Sequence, residues 1–346
     1  MALNFGKKIE VITQAVATCS DESLMESVEQ VAAASEALYE AQADGAVICQ
    51  VLDNLGLAAQ AIAKGGLSKQ VIGAFNSEGE LSAVCGMENL TVEGLEKLAE
   101  ADVKALEAKY TAGVEGQMAE YWNKLVAWLK NMWTKIVEWA KNIMTNYARY
   151  ANQLEAINKT LTADKFNADA TVSAHKKDVL DKAVRGADNV AKNLSSAAQA
   201  FKQSGSTGEG VAAATHRAVG KDMADVEAFT SSEATEGTLK SLGYGGLSDV
   251  QNQINAYVKW VRSSGSAGFG KASKDFTDGL QVLIKEAGNA GKLEGEAAAK
   301  AKEAVNAKRA AVVEYLAAIR KVAACFQKTG GELLKIAKAC QTKAAK

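Results

Sequence analysis

The sequence predicts an all-α protein: a bundle of many helices, either compact or elongated, around one long tryptophan-rich amphipathic helix. Three observations favour this class. Proline is absent from all 346 residues, although about one residue in twenty is usual. No stretch of useful length alternates apolar and polar residues as a strand would. Residues 118–150 repeat large apolar side chains at steps of three and four, the spacing of one helix face. We therefore expect no sheet of three or more strands.

The segment 118–150 holds four of the five tryptophans and is the predicted centre of the fold. Its most buried residues are expected to be Trp122, Leu125, Leu129, Met132, Ile136, Trp139 and Ile143. Because lysines flank the apolar face, the helix could instead dock on a partner or lie on a membrane surface. The side chains that would then face the partner or membrane are Trp122, Trp128, Trp133, Trp139, Lys124, Lys130 and Lys135. The sequence leaves open whether the tryptophan face is core or interface.

Before this central helix, glycine and capping residues divide the chain. In order, the predicted elements are helices at 4–19, 20–43, 46–64 and 68–75, an exposed connection at 76–89, and a long helix that begins near 91. Ser20 and the acids after it predict a helix N-terminus, since Ser caps free amides and acids suit that end of the helix dipole. Asp44-Gly45 and Gly65-Gly66 predict helix ends. Gly113 and Gly116 are expected to interrupt or kink the last helix.

After the central helix, the predicted elements are helices at 171–202, 211–229, 247–262, 276–287, 293–327 and 332–343. Residues 203–210 and 263–270 are flexible links by composition. Gly330-Gly331 is expected to end the long C-terminal helix. The chain thus predicts three regions: an acidic helical head and candidate propeptide at 1–90, a long-helix core at 91–202, and a glycine-linked helical region at 203–346.

Charge is distributed unevenly along the chain. Residues 1–120 carry 7 Lys+Arg and 19 Asp+Glu, residues 121–291 carry 21 and 17, and residues 292–346 carry 12 and 5. An acidic head before a basic body is typical of an interaction or masking segment, and solvated helix faces of uneven sign are the alternative. The lysines of 296–309 could contact phosphates, which predicts non-specific DNA contact by the basic C-terminal region.

Sequence motifs for catalysis or cofactor binding are missing. His175 and His216 lie in no zinc-binding or nucleophile motif and are expected to be ordinary helix residues. The five cysteines have unrelated spacings, which predicts buried thiols rather than disulfides or a metal site. No signal peptide is recognisable. We therefore expect a non-enzymatic protein with no cofactor and no metal.

The order of segments suggests one relationship. An acidic helical head and a glutamate-bearing connection precede YWNKLVAWLKNMWTKIVEWAKNIM and a series of alanine-rich helices. This layout resembles the internal head proteins of giant tailed phages, which are packaged inside the capsid with the genome. The resemblance implies a structural virion protein that is made in the host cytoplasm, lies in the capsid interior and has other virion proteins as partners.

The same resemblance implies proteolytic processing. Proteins of that family are cut after Glu with a small residue two places earlier, as in Gly86-Met87-Glu88 and Gly113-Val114-Glu115. Glu88 and Glu115 are therefore candidate processing sites, and loss of the head would leave a basic remainder. The alternative function is a membrane-active or pore-forming protein that inserts residues 118–150.

Overall fold

The computed structural model describes residues 21–67, 72, 94, 97–98, 100–202, 208–263, 268–293 and 295–341. Within these ranges the chain forms eight helices and one two-stranded sheet. The helices are α1 (Asp21–Gly65), α2 (Glu100–Thr160), α3 (Lys177–Lys202), α4 (Gly208–Val219), α5 (Asp222–Ser231), α6 (Leu247–Ser263), α7 (Phe269–Ala290) and α8 (Gly295–Ala339). The predicted all-α class is confirmed, and no sheet of three strands occurs in these ranges.

The sheet is a short antiparallel ribbon. Strands β1 (Thr171–Ala174) and β2 (Thr235–Thr238) pair with Thr171 opposite Thr238 and Ala174 opposite Thr235. Residues 171–202 were expected to be one helix, and that prediction is wrong for the first turn. Thr171 and Val172 are β-branched and favour the extended backbone that β1 adopts, so α3 begins only at Lys177.

The chain divides into two compact units. Unit 1 consists of Met1–Leu38, Trp133–Glu286 and Lys300–Lys346, and unit 2 consists of Tyr39–Met132 and Ala287–Ala299. Helices α1, α2, α7 and α8 each contribute residues to both units. Neither unit is one continuous segment, so the predicted region boundaries at 90 and 202 do not coincide with the unit boundaries.

Helix α1 runs through Asp44-Gly45 without a break, so the predicted end there is wrong. The reason is a close contact within unit 2. A Cβ atom built on Gly45 would lie 2.1 Å from Cε2 of Trp128, and the Trp128 indole N–H donates to the Ala41 carbonyl at 2.5 Å. Glycine is needed at this position because the indole ring occupies the space of a side chain.

The predicted end of this helix near Gly65-Gly66 is confirmed. Helix α1 ends at Gly65, and Gly66 has the left-handed φ of +62° that favours glycine. The Gly66 N–H donates to the Ile62 carbonyl at 2.8 Å and so satisfies one of the last helical carbonyls. The predicted elements at 4–19, 68–75 and 76–89 lie outside the described residues, apart from residue 72.

Helix α2 continues through Gly113 and Gly116, so the predicted interruption is wrong. Each glycine weakens a helix by only about 1 kcal/mol relative to alanine, and a long apolar face on the same helix outweighs that loss. All seven predicted core positions, from Trp122 to Ile143, are at most 3% exposed. These seven positions are among the most buried of the central segment, but Asn146 and Tyr147 are also fully buried, so the predicted set was incomplete.

Two other predicted helices have different bounds in the structure. The helix expected at 211–229 is two helices, α4 and α5, because Gly220 turns the chain with a φ of +44°. Helix α7 begins at Phe269 rather than at residue 276. Phe269 is fully buried, and its ring meets those of Trp139 and Tyr147 edge to face, so the end of the predicted flexible link belongs to the core of unit 1.

Helix α8 passes through Gly330-Gly331 to Ala339, so the predicted end at this pair is also wrong. A Cβ atom on Gly330 would lie 2.5 Å from the Tyr257 hydroxyl oxygen and 3.0 Å from the Tyr150 ring. Glycine therefore allows the backbone of α8 to approach two tyrosine rings of unit 1. The core nearby is aromatic: Phe326 stacks on Trp260 with ring centroids 3.3 Å apart.

Candidate functional site

The tryptophans of the central helix were the first candidate for a partner surface. The structure buries Trp122, Trp128 and Trp139. The indole N–H of Trp122 donates to the Ala287 carbonyl at 2.9 Å, and that of Trp139 donates to the Ser35 hydroxyl at 3.1 Å. Buried rings with satisfied donors are core residues, so these three positions favour the core interpretation.

The remaining candidates on this helix are more accessible. Trp133 and Lys135 are half-buried, and Lys124 and Lys130 are exposed. Lys124 pairs with Glu120 at 2.8 Å, and its ammonium lies 4.2 Å from the centroid of the Tyr121 ring. Exposed pairs of this kind contribute little to stability. The lysines therefore form the solvated side of a helix whose tryptophans are mostly core.

Residues 21–38 belong to the core of unit 1 rather than to a separate acidic head. Leu24, Val31 and Leu38 are buried. In addition to the Trp139–Ser35 bond, Asn146 donates to the Ser27 hydroxyl at 3.0 Å in a buried hydrogen bond. Removal of this segment would expose apolar side chains of unit 1.

Only one of the two candidate processing sites, Glu115, lies within the described residues. Glu115 is exposed, but it lies inside α2. A protease needs an extended backbone, so cleavage at this position requires local unfolding of the helix. Glu88 lies outside the described residues.

The two units carry opposite net charge. Over the sequence ranges of unit 1 there are 32 Lys+Arg and 26 Asp+Glu, and over those of unit 2 there are 8 and 15. Unit 1 therefore has a formal net charge of +6 and unit 2 of −7. Exposed basic side chains of unit 1 include Lys182 and Arg185, one helical turn apart on α3.

Lys308 is one of the lysines of residues 296–309 that the sequence predicts could contact phosphates, and the structure excludes this role for it. Its side chain is 3% exposed and its ammonium donates to both carboxylate oxygens of Glu286, at 2.9 and 3.1 Å. A buried ammonium that is paired in this way is not available to DNA. Breaking such a pair strongly destabilises a fold because it leaves a buried charge.

A second charged cluster joins α3 to α7 in unit 1. The Asp275 carboxylate accepts hydrogen bonds from the Ser195 hydroxyl at 2.6 Å and the Lys202 ammonium at 3.0 Å, and it also pairs with Lys271. Burial tends to raise the pKa of Asp275, but the hydrogen bonds from Lys271, Ser195 and Lys202 hold it below its usual value. The cluster is a structural ion network, since Ser195, Lys202 and Lys271 all bond to the Asp275 carboxylate.

The most unusual polar group in unit 1 lies around His175. The residue follows β1 and precedes α3, so the prediction that it is an ordinary helix residue is wrong. Its Nδ1 atom lies 2.6 Å from Glu332 Oε1, and its Nε2 atom lies 2.9 Å from the Ser232 hydroxyl oxygen. His175 and Glu332 are 6% and 5% exposed, whereas Ser232 is exposed.

Glu332 holds His175 through two separate contacts, one to the ring and one to the backbone. Its second carboxylate oxygen, Oε2, accepts the backbone N–H of His175 at 3.0 Å. The edge of the imidazole also meets the Phe229 ring, with centroids 4.9 Å apart. No sequence pattern indicates this group, because His175 and Glu332 are 157 positions apart and neither lies in a recognisable motif.

Lys328 stabilises the end of α5 beside this group. Its ammonium donates to the carbonyls of Phe229 at 2.6 Å and Ser232 at 2.7 Å. These are carbonyls at a helix C-terminus, which lack helical partners and carry the negative end of the dipole. Ser232, at the C-terminus of α5, thus contacts both His175 and Lys328, while Glu332 holds His175 in place.

Unit 2 contains a groove between α1 and α2, with a volume of about 680 Å³. Its apolar lining comes from small and aliphatic side chains, and its charged residues come from α2. The lining residues are Ala59, Ile62, Ala63, Lys104, Glu107, Ala108, Thr111, Val114 and Glu115. Glu107 accepts the Leu67 N–H at 2.8 Å, so this carboxylate is already used in the fold.

Three other features of the chain bear on metal binding, membrane association and relationship to known proteins. In the described part of the chain, no group of three or more His, Cys, Asp or Glu residues is placed to hold a metal ion. Among the described residues, one helix, Glu22–Lys64, is by length and composition apolar enough to cross a membrane, and 28% of its apolar window is buried. Comparison with protein-family models, curated proteins and solved structures finds no match to this chain. The class that the fold defines is an all-α, multi-helix protein.

Proposed function

We propose that this chain is a structural protein of the interior of a tailed-phage virion, packaged with the genome and in contact with other virion proteins. The observation that carries the proposal is the separation of charge between the two units, +6 in unit 1 and −7 in unit 2. A positively charged helical unit suits a protein stored beside DNA, because phosphates attract Lys and Arg without sequence preference. The layout of the sequence supports the same assignment.

The proposed DNA contact is made by exposed basic side chains of unit 1. Lys182 and Arg185 represent this surface, because both are exposed on α3. Each phosphate contact releases counterions from DNA, so the affinity falls with salt. Apolar and aromatic side chains take little part, since the tryptophans of the central helix are mostly buried and base stacking requires accessible rings.

A DNA titration of the full chain at about 50 and 200 mM salt tests this contact. The test variant is Lys182→Glu/Arg185→Glu in unit 1. The matched control is Lys97→Glu/Lys104→Glu in unit 2, which changes net charge by the same amount at exposed positions. We expect only the unit 1 variant to weaken binding strongly and to reduce the salt slope by about 2. Negligible binding by the wild type, or equal losses in both variants, would remove the DNA role.

Processing of the acidic N-terminal region is part of the proposal and has its own test. Residues 21–38 pack in the core of unit 1, so we expect a cut after Glu88 or Glu115 to leave this segment bound to the unit. Intact-mass measurement of the native protein, before and after denaturation, distinguishes a retained fragment from a released one. A single full-length mass that begins at Met1 would eliminate processing.

A second candidate function is membrane association, and one observation favours it. Helix α1 exposes Tyr39, Val47 and Leu57, each more than 60% accessible, and it contains the apolar window described above. This second proposal therefore assigns the insertion to α1, whereas the sequence had suggested residues 118–150. Flotation of the full chain with anionic vesicles tests it: Val47→Ser/Leu57→Ser should abolish flotation if α1 inserts, and absence of wild-type flotation would remove this function.

A further inference from the structure

We propose that Ser232, His175 and Glu332 form an acyl-transfer site that hydrolyses small carboxylic esters. The inference rests on residues that play no part in the proposed DNA contact. It also departs from the expectation, drawn from the sequence, that the chain is not an enzyme. Its basis is a continuous chain of two hydrogen-bonded contacts, from carboxylate to imidazole to an exposed hydroxyl.

The hydrogen-bond partners of His175 indicate which ring nitrogen carries a proton. Nδ1 lies 2.6 Å from a carboxylate oxygen, and this contact needs a proton between the two atoms. With that proton on Nδ1, the lone pair of Nε2 faces the Ser232 hydroxyl 2.9 Å away. A neutral ring in this tautomer is a general base for the hydroxyl. Glu332 is a positioning residue, because it binds both the ring and the backbone N–H of His175.

The three residues differ in accessibility in the way that a nucleophile site requires. His175 and Glu332 are buried, so their orientation is fixed, whereas Ser232 is exposed and can reach a substrate. The Ser232 hydroxyl also lies 3.2 Å from the Phe229 carbonyl. The imidazole Nε2 is the nearer of the two acceptors, at 2.9 Å, and a ring nitrogen is basic enough to take the hydroxyl proton whereas a carbonyl oxygen is not. The Lys328 ammonium supplies positive charge beside the nucleophile.

The proposed reaction balances without a cofactor. Ser232 Oγ bonds to the ester carbonyl carbon while its proton passes to His175 Nε2. The tetrahedral intermediate then breaks its bond to the alcohol oxygen, which leaves with the proton from Nε2. Water attacks the acyl-serine, gives a proton to Nε2, and displaces Ser232, which takes that proton back. The net reaction is ester and water to carboxylic acid and alcohol.

A fluorophosphonate probe tests the nucleophile directly on the full chain. Ser232 Oγ bonds to phosphorus, fluoride leaves, and the hydroxyl proton passes to His175. Ser231 is an internal control, since it is an exposed neighbour whose hydroxyl donates to the Glu227 carbonyl at 2.6 Å and has no histidine contact. By peptide mass spectrometry we expect Ser232 to be labelled about 100-fold faster than Ser231, the lower range of general-base catalysis. Urea should remove this difference.

Variants then separate catalysis from a purely structural clamp. We expect Ser232→Ala to abolish the burst of p-nitrophenol from p-nitrophenyl acetate, while Ser231→Ala leaves it unchanged. His175→Gln should slow the burst by about 100-fold or more. Glu332→Gln should lower the rate constant of the burst, which, unlike the burst amplitude, does not depend on how much of the protein is folded.

Two results would overturn the proposal. One is a wild-type chain in which Ser232 is labelled no faster than Ser231. The other is a folded His175→Gln protein that is labelled at the wild-type rate. If the histidine variant does not fold, the comparison of Ser232 with Ser231 in the wild-type chain still decides the question.

Discussion

Replacement of Gly45 by alanine should destabilise the protein, although alanine is the better helix former. Alanine in a helix interior usually gains about 0.5–1 kcal/mol over glycine. At Gly45 the new Cβ would lie 2.1 Å from Cε2, 2.3 Å from Cζ2 and 2.4 Å from Nε1 of Trp128. Carbon atoms in contact lie about 3.5–4.0 Å apart, so the indole must move by more than about 1 Å.

The magnitude follows from two losses. Overpacking a filled core costs about 1–3 kcal/mol. The displaced indole also loses its hydrogen bond to the Ala41 carbonyl, which contributes about 0.5–1.5 kcal/mol. After the gain in helix propensity is subtracted, we expect Gly45→Ala to lose about 1–3 kcal/mol of unfolding free energy.

Gly56 on the same helix is the matched control. A Cβ atom there would meet nothing within 4 Å, so Gly56→Ala should gain about 0.5–1 kcal/mol. Urea denaturation followed by circular dichroism at 222 nm measures both variants. The account of why α1 passes through Gly45 would be refuted by a Gly45→Ala protein at least as stable as the wild type.

Three further predictions follow from the core and from buried titratable groups. Trp139→Ala should cost about 3–5 kcal/mol in urea denaturation, because it leaves a large cavity; a loss below about 1 kcal/mol would mean that this ring is not core. Asp275 has a lowered pKa in the folded chain. Its carboxylate therefore stabilises the fold at pH values above its usual pKa of 3.8, and this stabilisation is lost as the pH falls through the pKa of the folded state. We therefore expect Asp275→Asn to be less stable than wild type at neutral pH and to show a smaller stability loss on acidification; parallel pH profiles would contradict this. Burial raises the pKa of Cys325 to about 12 and that of Cys340 to about 11, so iodoacetamide at pH 8 should modify both only after unfolding, and rapid modification of the folded chain would show that they are accessible.

The features that depend on local periodicity could be predicted from the sequence. The apolar repeat of residues 118–150 identified the buried face of α2, and the absence of proline and of strand alternation indicated the fold class. Glycine was the main source of error. At Gly45 and Gly330 the missing side chain makes room for an aromatic ring, and the Ala41–Trp128 bond that accompanies the first contact joins positions 87 residues apart. Local patterns cannot distinguish such a glycine from a helix terminator.

The His175 group could not have been predicted for the same physical reason. Its members are brought together by β1, the C-terminus of α5 and the interior of α8. The helix that supplies Glu332 was itself expected to end just before this residue, at Gly330-Gly331. The uneven distribution of charge, in contrast, could be predicted from the sequence. In the structure the opposite charges belong to two compact units, each composed of separate segments of the chain, and not to an acidic head and a basic body.

The central claim, that this chain is packaged inside a virion, is tested most directly by protease protection of purified particles from its natural source. Particles are treated with an external protease, opened, and examined by mass spectrometry for peptides of this chain. We expect the peptides to survive in intact, DNA-filled particles and to be degraded when the particles are opened before treatment. Absence of the chain from purified particles, or its digestion in intact ones, would contradict the claim.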